Sequence, residues 1–243
     1  MNKLPSKVLV LGIPVSPTGV GDVRVLFTQK KADNHLIVTF VNPLACALAE
    51  LNADYVDLLS NFSIVACDGI GMVQASRVNG IKNLKRESFD FTSLADAVFQ
   101  SAVENHWRLG IVGGKPGVAE KSGEILRLKY PGLQVAACYS GFGPDPAEAQ
   151  IYFTENQMDL VICAMGAPLQ EKFFIQLTAN GWHGIGFTCG GFLDQIIVGH
   201  QHQQDGDMDA PELGCFVACL GHFLIIHGGQ NDVARGLGQL RSG

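Results

Sequence analysis

The stretch Ile64-Val65-Ala66-Cys67-Asp68-Gly69-Ile70-Gly71 joins an uninterrupted apolar run to an acidic residue and a glycine-rich turn. An apolar run without polar alternation is typical of a strand that is buried on both faces of a parallel sheet. Glycines that follow a strand allow the positive φ angles that short turns need. This stretch therefore predicts a buried strand that ends at Asp68.

Runs of the same kind recur along the chain, with helical patterns between them. We predict strands at residues 8–11, 36–40, 63–67, 109–112, 135–138, 160–163 and 184–187. Strands that alternate with helices are characteristic of α/β proteins. The sequence thus predicts a Rossmann-like, doubly wound, mostly parallel sheet flanked by helices. We assign this domain to residues 1–199 and a separate tail to residues 200–243, because the chain becomes rich in His, Gln and Asp after Gly199.

The overall composition excludes two classes of protein. Apolar residues make up 47% of the chain and charged residues 16%, so the chain can bury a large core and is not of the disordered class. Its net charge of −6 argues against a general nucleic-acid surface. Lys82, Lys85 and Arg86 form a local basic cluster that suits a phosphate group.

The cysteines and the N-terminus predict a cytoplasmic location. The seven cysteines are odd in number, and five of them sit in or beside apolar runs, which indicates reduced thiols. Residues 1–7 lack the apolar core of a signal peptide. The apolar segment 213–226 is shorter than the roughly 20 residues that a membrane span needs. We therefore expect at most a peripheral association with the inner face of the plasma membrane.

Five distinctive groups of residues directly follow predicted strands. In an open parallel sheet, ligands bind outside the carboxyl ends of the strands, which lie along one edge. The sequence therefore predicts a single site at that edge. The groups are Asn42-Pro43, Asp68-Gly69, Gly113-Gly114-Lys115-Pro116-Gly117, Gly166-Ala167-Pro168-Leu169-Gln170-Glu171 and Gly190-Gly191-Phe192-Leu193-Asp194.

Asp68 and the glycine-rich turn each allow two interpretations. Asp68 is either a carboxylate at a pocket floor that accepts a proton from a sugar hydroxyl, or a helix cap or turn residue. The backbone N–H groups near Gly113 and Gly114 either hold a diphosphate at a helix N-terminus or serve only a tight loop. The spacing matches neither the Walker pattern nor G-x-G-x-x-G.

Four further polar side chains have the same dual character. The amides of Asn42 and Gln170 can recognise a sugar or a uracil edge, or they can cap helices. Arg86 can neutralise a phosphate, or it can be a solvated surface residue. Asp194 can bind ribose or sugar hydroxyls, or it can cap the next helix.

One histidine- and aspartate-rich stretch resembles a metal site by composition alone. Its residues lack the helical or hairpin spacing of metal ligands and follow one another in a polar run. We therefore predict no metal and no cofactor. The residues are His200, His202, Asp205, Asp207 and Asp209.

Taken in this order, the motifs resemble those of the WecG/TagA/CpsF family of bacterial glycosyltransferases. The resemblance covers residues 7–194. The matching segments are Val8-Leu9-Val10-Leu11-Gly12, Phe40-Val41-Asn42-Pro43, Asp68-Gly69-Ile70-Gly71, Arg86 with Asp90, Gly113-Gly114-Lys115-Pro116, Tyr130-Pro131-Gly132-Leu133, the intact Gly166-Ala167-Pro168-Leu169-Gln170-Glu171 and Gly190-Gly191-Phe192-Leu193-Asp194.

The resemblance implies a metal-independent, inverting hexosyl- or N-acetylhexosaminyltransferase. Its donor would be a UDP-sugar, and its acceptor a polyprenyl-diphosphate-linked saccharide of cell-surface polysaccharide synthesis, such as exopolysaccharide. The proposed base of the family falls on Asp68. The polar pocket residues of the family fall on Asn42, Arg86, Gln170 and Asp194. Together with the strand-end motifs, this predicts a substrate-binding set of Asn42, Arg86, Gly113, Gly114, Gln170, Glu171, Gly190, Gly191 and Asp194.

Three features depart from the family pattern. Many members carry Thr where this chain has Phe40, and residues 85–90 lack the commoner Val and Gly, which suggests a different sugar. The usual basic, Trp- and Arg-rich C-terminal tail is missing. If residues 200–243 are native, segment 213–226 should contact the membrane or form oligomers. We favour the alternative, that this tail is aberrant and takes no part in membrane binding.

Two other functions remain as alternatives at this stage. A nucleotide- or NAD-binding oxidoreductase is compatible with the predicted fold, although G-x-G-x-x-G is missing after the first predicted strand. A non-catalytic binding protein would require Asp68 to be only a turn residue.

Overall fold

The computed structural model describes residues 6–21, 25–27, 34–82 and 84–205, with backbone alone for 202–205. The chain forms a hairpin and then a six-stranded sheet. The hairpin consists of β1 (Val8–Val10) and β2 (Ile13–Val15). The sheet consists of β3 (Leu36–Val41), β4 (Ile64–Cys67), β5 (Arg108–Gly113), β6 (Gln134–Tyr139), β7 (Leu160–Ala164) and β8 (Ile185–Thr188).

The strand order of the large sheet is β4-β3-β8-β7-β5-β6, and every neighbouring pair is parallel. The central strands are buried along their whole length because helices cover both faces. The predicted α/β class and the mostly parallel sheet are confirmed.

The strand predicted at residues 8–11 does not belong to this sheet, so that part of the prediction is wrong. Val8 pairs with Val15 in the antiparallel hairpin instead. Leu11 and Gly12 adopt positive φ angles of 51° and 79°, which reverse the chain within two residues. A short apolar run does not reveal which partner it will pair with, so the reversal was missed.

Helices pack on both faces of the sheet around two apolar clusters. The helices with defined bounds are α1 (Pro43–Leu51), α2 (Asp54–Ser60), α3 (Ile70–Val78), α4 (Ala95–Glu104), α5 (Val118–Lys129), α6 (Asp145–Glu155), α7 (Leu169–Ala179) and α8 (Phe192–Asp205). Of these, α4, α5 and α8 cover one face, and the other five and the hairpin cover the opposite face.

The loops at the carboxyl edge of the sheet diverge near its centre. The chain leaves β5 and β8 towards α5 and α8 on one face, and leaves β3 and β7 towards α1 and α7 on the other. Neighbouring strands whose loops part in this way leave a crevice that commonly holds a ligand. The five groups singled out in the sequence all follow strands at this edge.

Helix α8 continues through Gly199 to Asp205, so no break in secondary structure marks the proposed start of the tail. Segment 213–226 lies outside the described residues, as do Asp207 and Asp209, and the separate tail stays a prediction. In the ranges that the structure describes, no helix combines the length and apolar character needed to cross a bilayer.

The described cysteines carry free thiols; they are Cys46, Cys67, Cys138, Cys163 and Cys189. Burial raises the pKa of the Cys67 thiol to about 12, so this thiol stays protonated at neutral pH. Cys215 and Cys219 lie outside the described residues.

Candidate active site

Asp68 is placed directly beyond β4 by the parallel ladder. Its backbone N–H donates to the carbonyl of Val41 at 2.8 Å, which extends the pairing between β3 and β4 by one residue. The next residue, Gly69, is the N-cap of α3 with a φ of 94°, and as a glycine it offers no side-chain cap to that helix. The Asp68 carboxylate has a hydrogen bond from the backbone of Gly69, so this side chain also takes part in the turn that leads into α3.

The carboxylate of Asp68 forms an ion pair with Arg86. Arg86 Nε lies 3.3 Å from Asp68 Oδ1, and a terminal nitrogen of Arg86 lies 3.4 Å from Asp90 Oδ2. One guanidinium thus connects two carboxylates, and 42% of its side chain remains exposed. Arg86 is therefore not merely a solvated surface residue. The loose sequence match of Arg86 and Asp90 to the family corresponds to a real contact in the structure.

The two carboxylates of this group have pKa values shifted in opposite directions. Burial raises the pKa of Asp68, and it outweighs the lowering by Arg86. Burial also acts to raise the pKa of Asp90, but hydrogen bonds from Ser88 and Thr92 prevail and hold it below the usual value. Two nearby acids with divergent proton affinities are typical of catalytic sites. Asp68 is the one suited to accept a proton.

Two segments that flank Asp68 are fixed along the outer side of β4. Ser16 donates its N–H to the Val65 carbonyl at 2.9 Å and accepts the Val65 N–H on Oγ at 3.0 Å. Glu87 donates its N–H to the Cys67 carbonyl at 2.9 Å. These hydrogen bonds pair backbone groups on the outer edge of β4, and they hold the segments that contain Ser16 and Glu87 beside Asp68.

The carboxylate of Glu87 connects these two segments. It accepts the N–H groups of Val20 at 2.6 Å and Gly21 at 3.0 Å. A Cβ on Gly19 would lie 2.2 Å from a Glu87 oxygen, so the glycine allows the close approach. Sequence reasoning missed Ser16 and Glu87. The signal was the group of glycines at 19 and 21 together with an acid next to Arg86.

The turn after β5 is tightly built into the sheet edge. The N–H of Gly114 donates to the Ala164 carbonyl at 3.1 Å, and its carbonyl accepts the N–H of Gly141 at 2.9 Å. The Gly114 N–H is thus used within the protein. Gly117, the N-cap of α5, contributes no side-chain cap, so the first turn of α5 is the part of this segment that can meet an anion.

Gln170 and Glu171 lie in the first turn of α7 and are both buried. The Gln170 amide accepts the N–H of Gly190 at 3.2 Å and donates to Glu171 Oε1 at 3.2 Å. Thr39 also donates to Glu171 Oε1, at 2.9 Å. The structure therefore connects the segments that follow β7 and β8. The side chains that connect them are buried in the protein interior.

Asn42 and Asp194 mark the beginnings of two helices. Asn42 Oδ1 accepts the N–H of Leu44 at 3.0 Å, so Asn42 serves as the N-cap of α1, one of its two predicted roles. Asp194 lies in the first turn of α8, where a negative charge is favourable. Gly190, with a φ of 50°, and Gly191 form the turn that precedes it.

Helix N-termini and the partly exposed guanidinium of Arg86 are the positively charged features of this edge. The N-cap residues of α3, α5 and α7 make no side-chain cap bond. The N–H groups of Val118 in α5 and Gln170 in α7 donate to the carbonyls of Lys115 and Gly166, so the other N–H groups of these first turns are the ones open to an anion. Among the described residues, no three His, Cys, Asp or Glu side chains are arranged to hold a metal ion.

Comparison with known proteins connects this geometry to one family. A model described as "Glycosyl transferase WecG/TagA/CpsF family" matches residues 8–203. The chain belongs to this family. The match includes the hairpin, the whole sheet and nearly all of α8. The resemblance of the strand-end motifs is thereby confirmed at the level of the family.

Two similar relatives are named for reactions on lipid-linked sugars. The chain is 31% identical over 163 residues to a UDP-Gal:alpha-D-GlcNAc-diphosphoundecaprenol beta-1,4-galactosyltransferase of Shigella boydii, covering 65% of this chain and 66% of the relative. It is 24% identical over 174 residues to an N-acetylglucosaminyldiphosphoundecaprenol N-acetyl-beta-D-mannosaminyltransferase of Staphylococcus aureus, covering 70% of this chain and 67% of the relative. The chain thus spans about two thirds of the length of these relatives.

Proposed function

We propose that this protein is an inverting glycosyltransferase that moves a sugar from a UDP-sugar to a saccharide linked to a polyprenyl diphosphate. The observation that carries the proposal is Asp68, a partly buried carboxylate of raised pKa beside Arg86 at the carboxyl edge of the sheet. Membership of the family and the names of the relatives support the substrate classes.

The proposed reaction is a single displacement with Asp68 as general base. Asp68 takes the proton of an acceptor hydroxyl, and the hydroxyl oxygen forms a bond to the anomeric carbon of the donor sugar. The bond from that carbon to the UDP oxygen breaks, and its electron pair leaves with UDP. Attack opposite to the leaving group inverts the anomeric configuration.

Charge that develops on the leaving diphosphate must be stabilised within the protein. The uncapped N-termini of α5 and α7 supply N–H groups and the positive end of the helix dipole. Arg86 adds a full positive charge with donors that remain partly exposed beside its two carboxylates. We assign donor binding to residues 113–117 and to the turn that contains Gly190, Gly191 and Asp194.

Exposed apolar side chains at the same edge support a lipid-linked acceptor. Leu44, Ile70 and Leu169 lie in the first turns of α1, α3 and α7 and are 40%, 62% and 45% exposed. First turns of helices usually carry polar residues. We propose that these side chains rest on the inner face of the plasma membrane while the diphosphate of the acceptor reaches the site.

Binding of the donor is tested by thermal stabilisation with a panel of nucleotides. UDP and one or more UDP-sugars should raise the melting temperature, because a ligand at 100 times its Kd stabilises the native state by about 2.7 kcal/mol. NAD and ADP at the same concentration serve as controls. Stabilisation by NAD alone would contradict the proposal and favour an oxidoreductase.

Contact with lipid is tested by Ile70→Gln, with Val78→Gln as the matched control. The two residues lie at opposite ends of α3 and are 62% and 89% exposed, so both changes leave the core intact. Ile70→Gln should weaken binding to vesicles of acidic phospholipid, measured by co-sedimentation, by roughly tenfold or more, since burial of one large side chain contributes about 1.5–3 kcal/mol. Equal binding of the two variants would contradict lipid contact at this edge.

A further inference from the structure

Glu171 is a carboxylic acid with no access to solvent. Its side chain is 0% exposed, so in this conformation it faces the protein interior, and its part in substrate binding stays a prediction. Oε1 accepts hydrogen bonds from Thr39 and Gln170. Oε2 has no hydrogen-bond partner among the described residues.

The hydrogen bonds of Glu171 belong to a series of hydrogen bonds that joins three neighbouring strands. Thr188 on β8 donates to Thr39 on β3 at 2.9 Å, and Thr39 donates to Glu171 at the start of α7, directly after β7. On the other side, Gln170 donates to Glu171 and accepts from the N–H of Gly190. This series of hydrogen bonds therefore ends at the turn that follows β8.

Stability alone is a weak reason for an acid at this position. Burial of a carboxyl group without full hydrogen bonding is costly, and an apolar side chain of similar volume is often neutral or stabilising in its place. Burial raises the pKa of Glu171, which favours the uncharged form. The property that an apolar side chain would lack is an oxygen that accepts two hydrogen bonds.

We propose that Glu171 is a positioning residue: its Oε1 orients the Gln170 amide, which in turn holds Gly190 and the turn of residues 190–194 against the donor site. The identity of the donor rests on the proposed function. The proposed restraint of the turn depends only on the observed hydrogen bonds and not on which donor binds. Gln170 takes part in this restraint, because its amide nitrogen donates to Glu171 and its amide oxygen accepts from Gly190.

The test compares Glu171→Gln, Glu171→Leu and Gln170→Met by amide hydrogen exchange resolved by NMR. Glu171→Gln keeps an acceptor oxygen and should leave the exchange of Gly190 within about threefold of wild type. Glu171→Leu and Gln170→Met should each speed it by roughly tenfold, the effect of losing one hydrogen bond. The N–H of Cys189, which donates to the Cys163 carbonyl, is an internal reference that should not change.

A matched control separates this role from general loss of stability. Gln176→Met alters a glutamine on the same helix whose side chain pairs with Gln150, away from the turn, and should leave Gly190 unchanged. Glu171→Leu and Gln170→Met should also weaken UDP-sugar binding by roughly tenfold, with recovery in Glu171→Gln.

The two proposals fail in distinguishable ways. If Gly190 exchange in folded Gln170→Met and Glu171→Leu equals that of wild type, the positioning role is overturned whatever the donor result. If exchange rises in both variants while wild-type protein binds no UDP-sugar, the hold on the turn is supported and the proposed function is lost. If Glu171→Leu does not fold, Gln170→Met alone decides the first outcome.

Discussion

Asp68→Asn should lower the turnover of sugar transfer by roughly 10²–10⁴-fold while the protein stays folded. The amide keeps the size of the side chain and an oxygen that can accept from Arg86, but it cannot accept the proton of the acceptor hydroxyl. Because burial already disfavours the charged form of Asp68, a neutral side chain should fit this position without large loss of stability. Transfer of labelled sugar to a lipid-linked acceptor measures the effect.

Asp57→Asn is the matched control for this variant. Asp57 is an exposed aspartate on α2, and its replacement should leave turnover unchanged.

The pH dependence of turnover gives a second check on Asp68 as the base. A base works only when deprotonated, so activity is lost as pH falls through its pKa. Since the pKa of Asp68 is raised, this loss should begin at higher pH than for an exposed aspartate. Near-normal turnover of Asp68→Asn would eliminate Asp68 as the base.

Gly113→Ala should destabilise the fold by about 3 kcal/mol, through steric overlap and backbone strain. A Cβ at this position would lie 2.5 Å from the carbonyl oxygen of Ala164, and Gly113 has a φ of 143°. The overlap is with backbone of the neighbouring strand β7, which has no side-chain freedom to move away. Urea denaturation monitored by circular dichroism measures the change.

The variant Gly117→Ala separates the cost of backbone strain from the cost of steric overlap. Gly117 also has a positive φ, 88°, but no heavy atom lies within 4 Å of a Cβ built there. Its replacement should therefore cost only about 1 kcal/mol from the left-handed backbone. Equal costs for the two variants would show that the close packing of β5 against β7 does not require a glycine at the end of β5.

The fold was predictable because buried parallel strands have a distinct sequence pattern. The runs at 36–40, 63–67, 109–112, 135–138, 160–163 and 184–187 all correspond to strands of the sheet, with ends shifted by at most one residue. The order of the strands was not predictable, because periodicity gives the type of an element and not its neighbour. The N-terminal hairpin was missed for this reason.

The gathering of the candidate site residues at one edge of the sheet was predictable, but the contacts of their side chains were only partly so. Asp68 follows a buried strand, and its place at the sheet edge follows from the topology. Its pairing with Arg86, 18 positions later in the chain, depends on how residues 84–90 run along β4. Glu171 shows the limit of motif reasoning, since a polar residue in a strand-end motif is in fact fully buried.

The central claim is tested most directly by the reaction itself. Purified protein, a panel of UDP-sugars and a GlcNAc-diphospho-lipid acceptor are combined, and UDP release and the anomeric configuration of the product are measured by NMR. We predict UDP release that requires the acceptor, and a β-linked product from an α-linked donor. Retention of the donor configuration, or no acceptor-dependent UDP release with any sugar in the panel, would contradict an inverting transferase with Asp68 as its base.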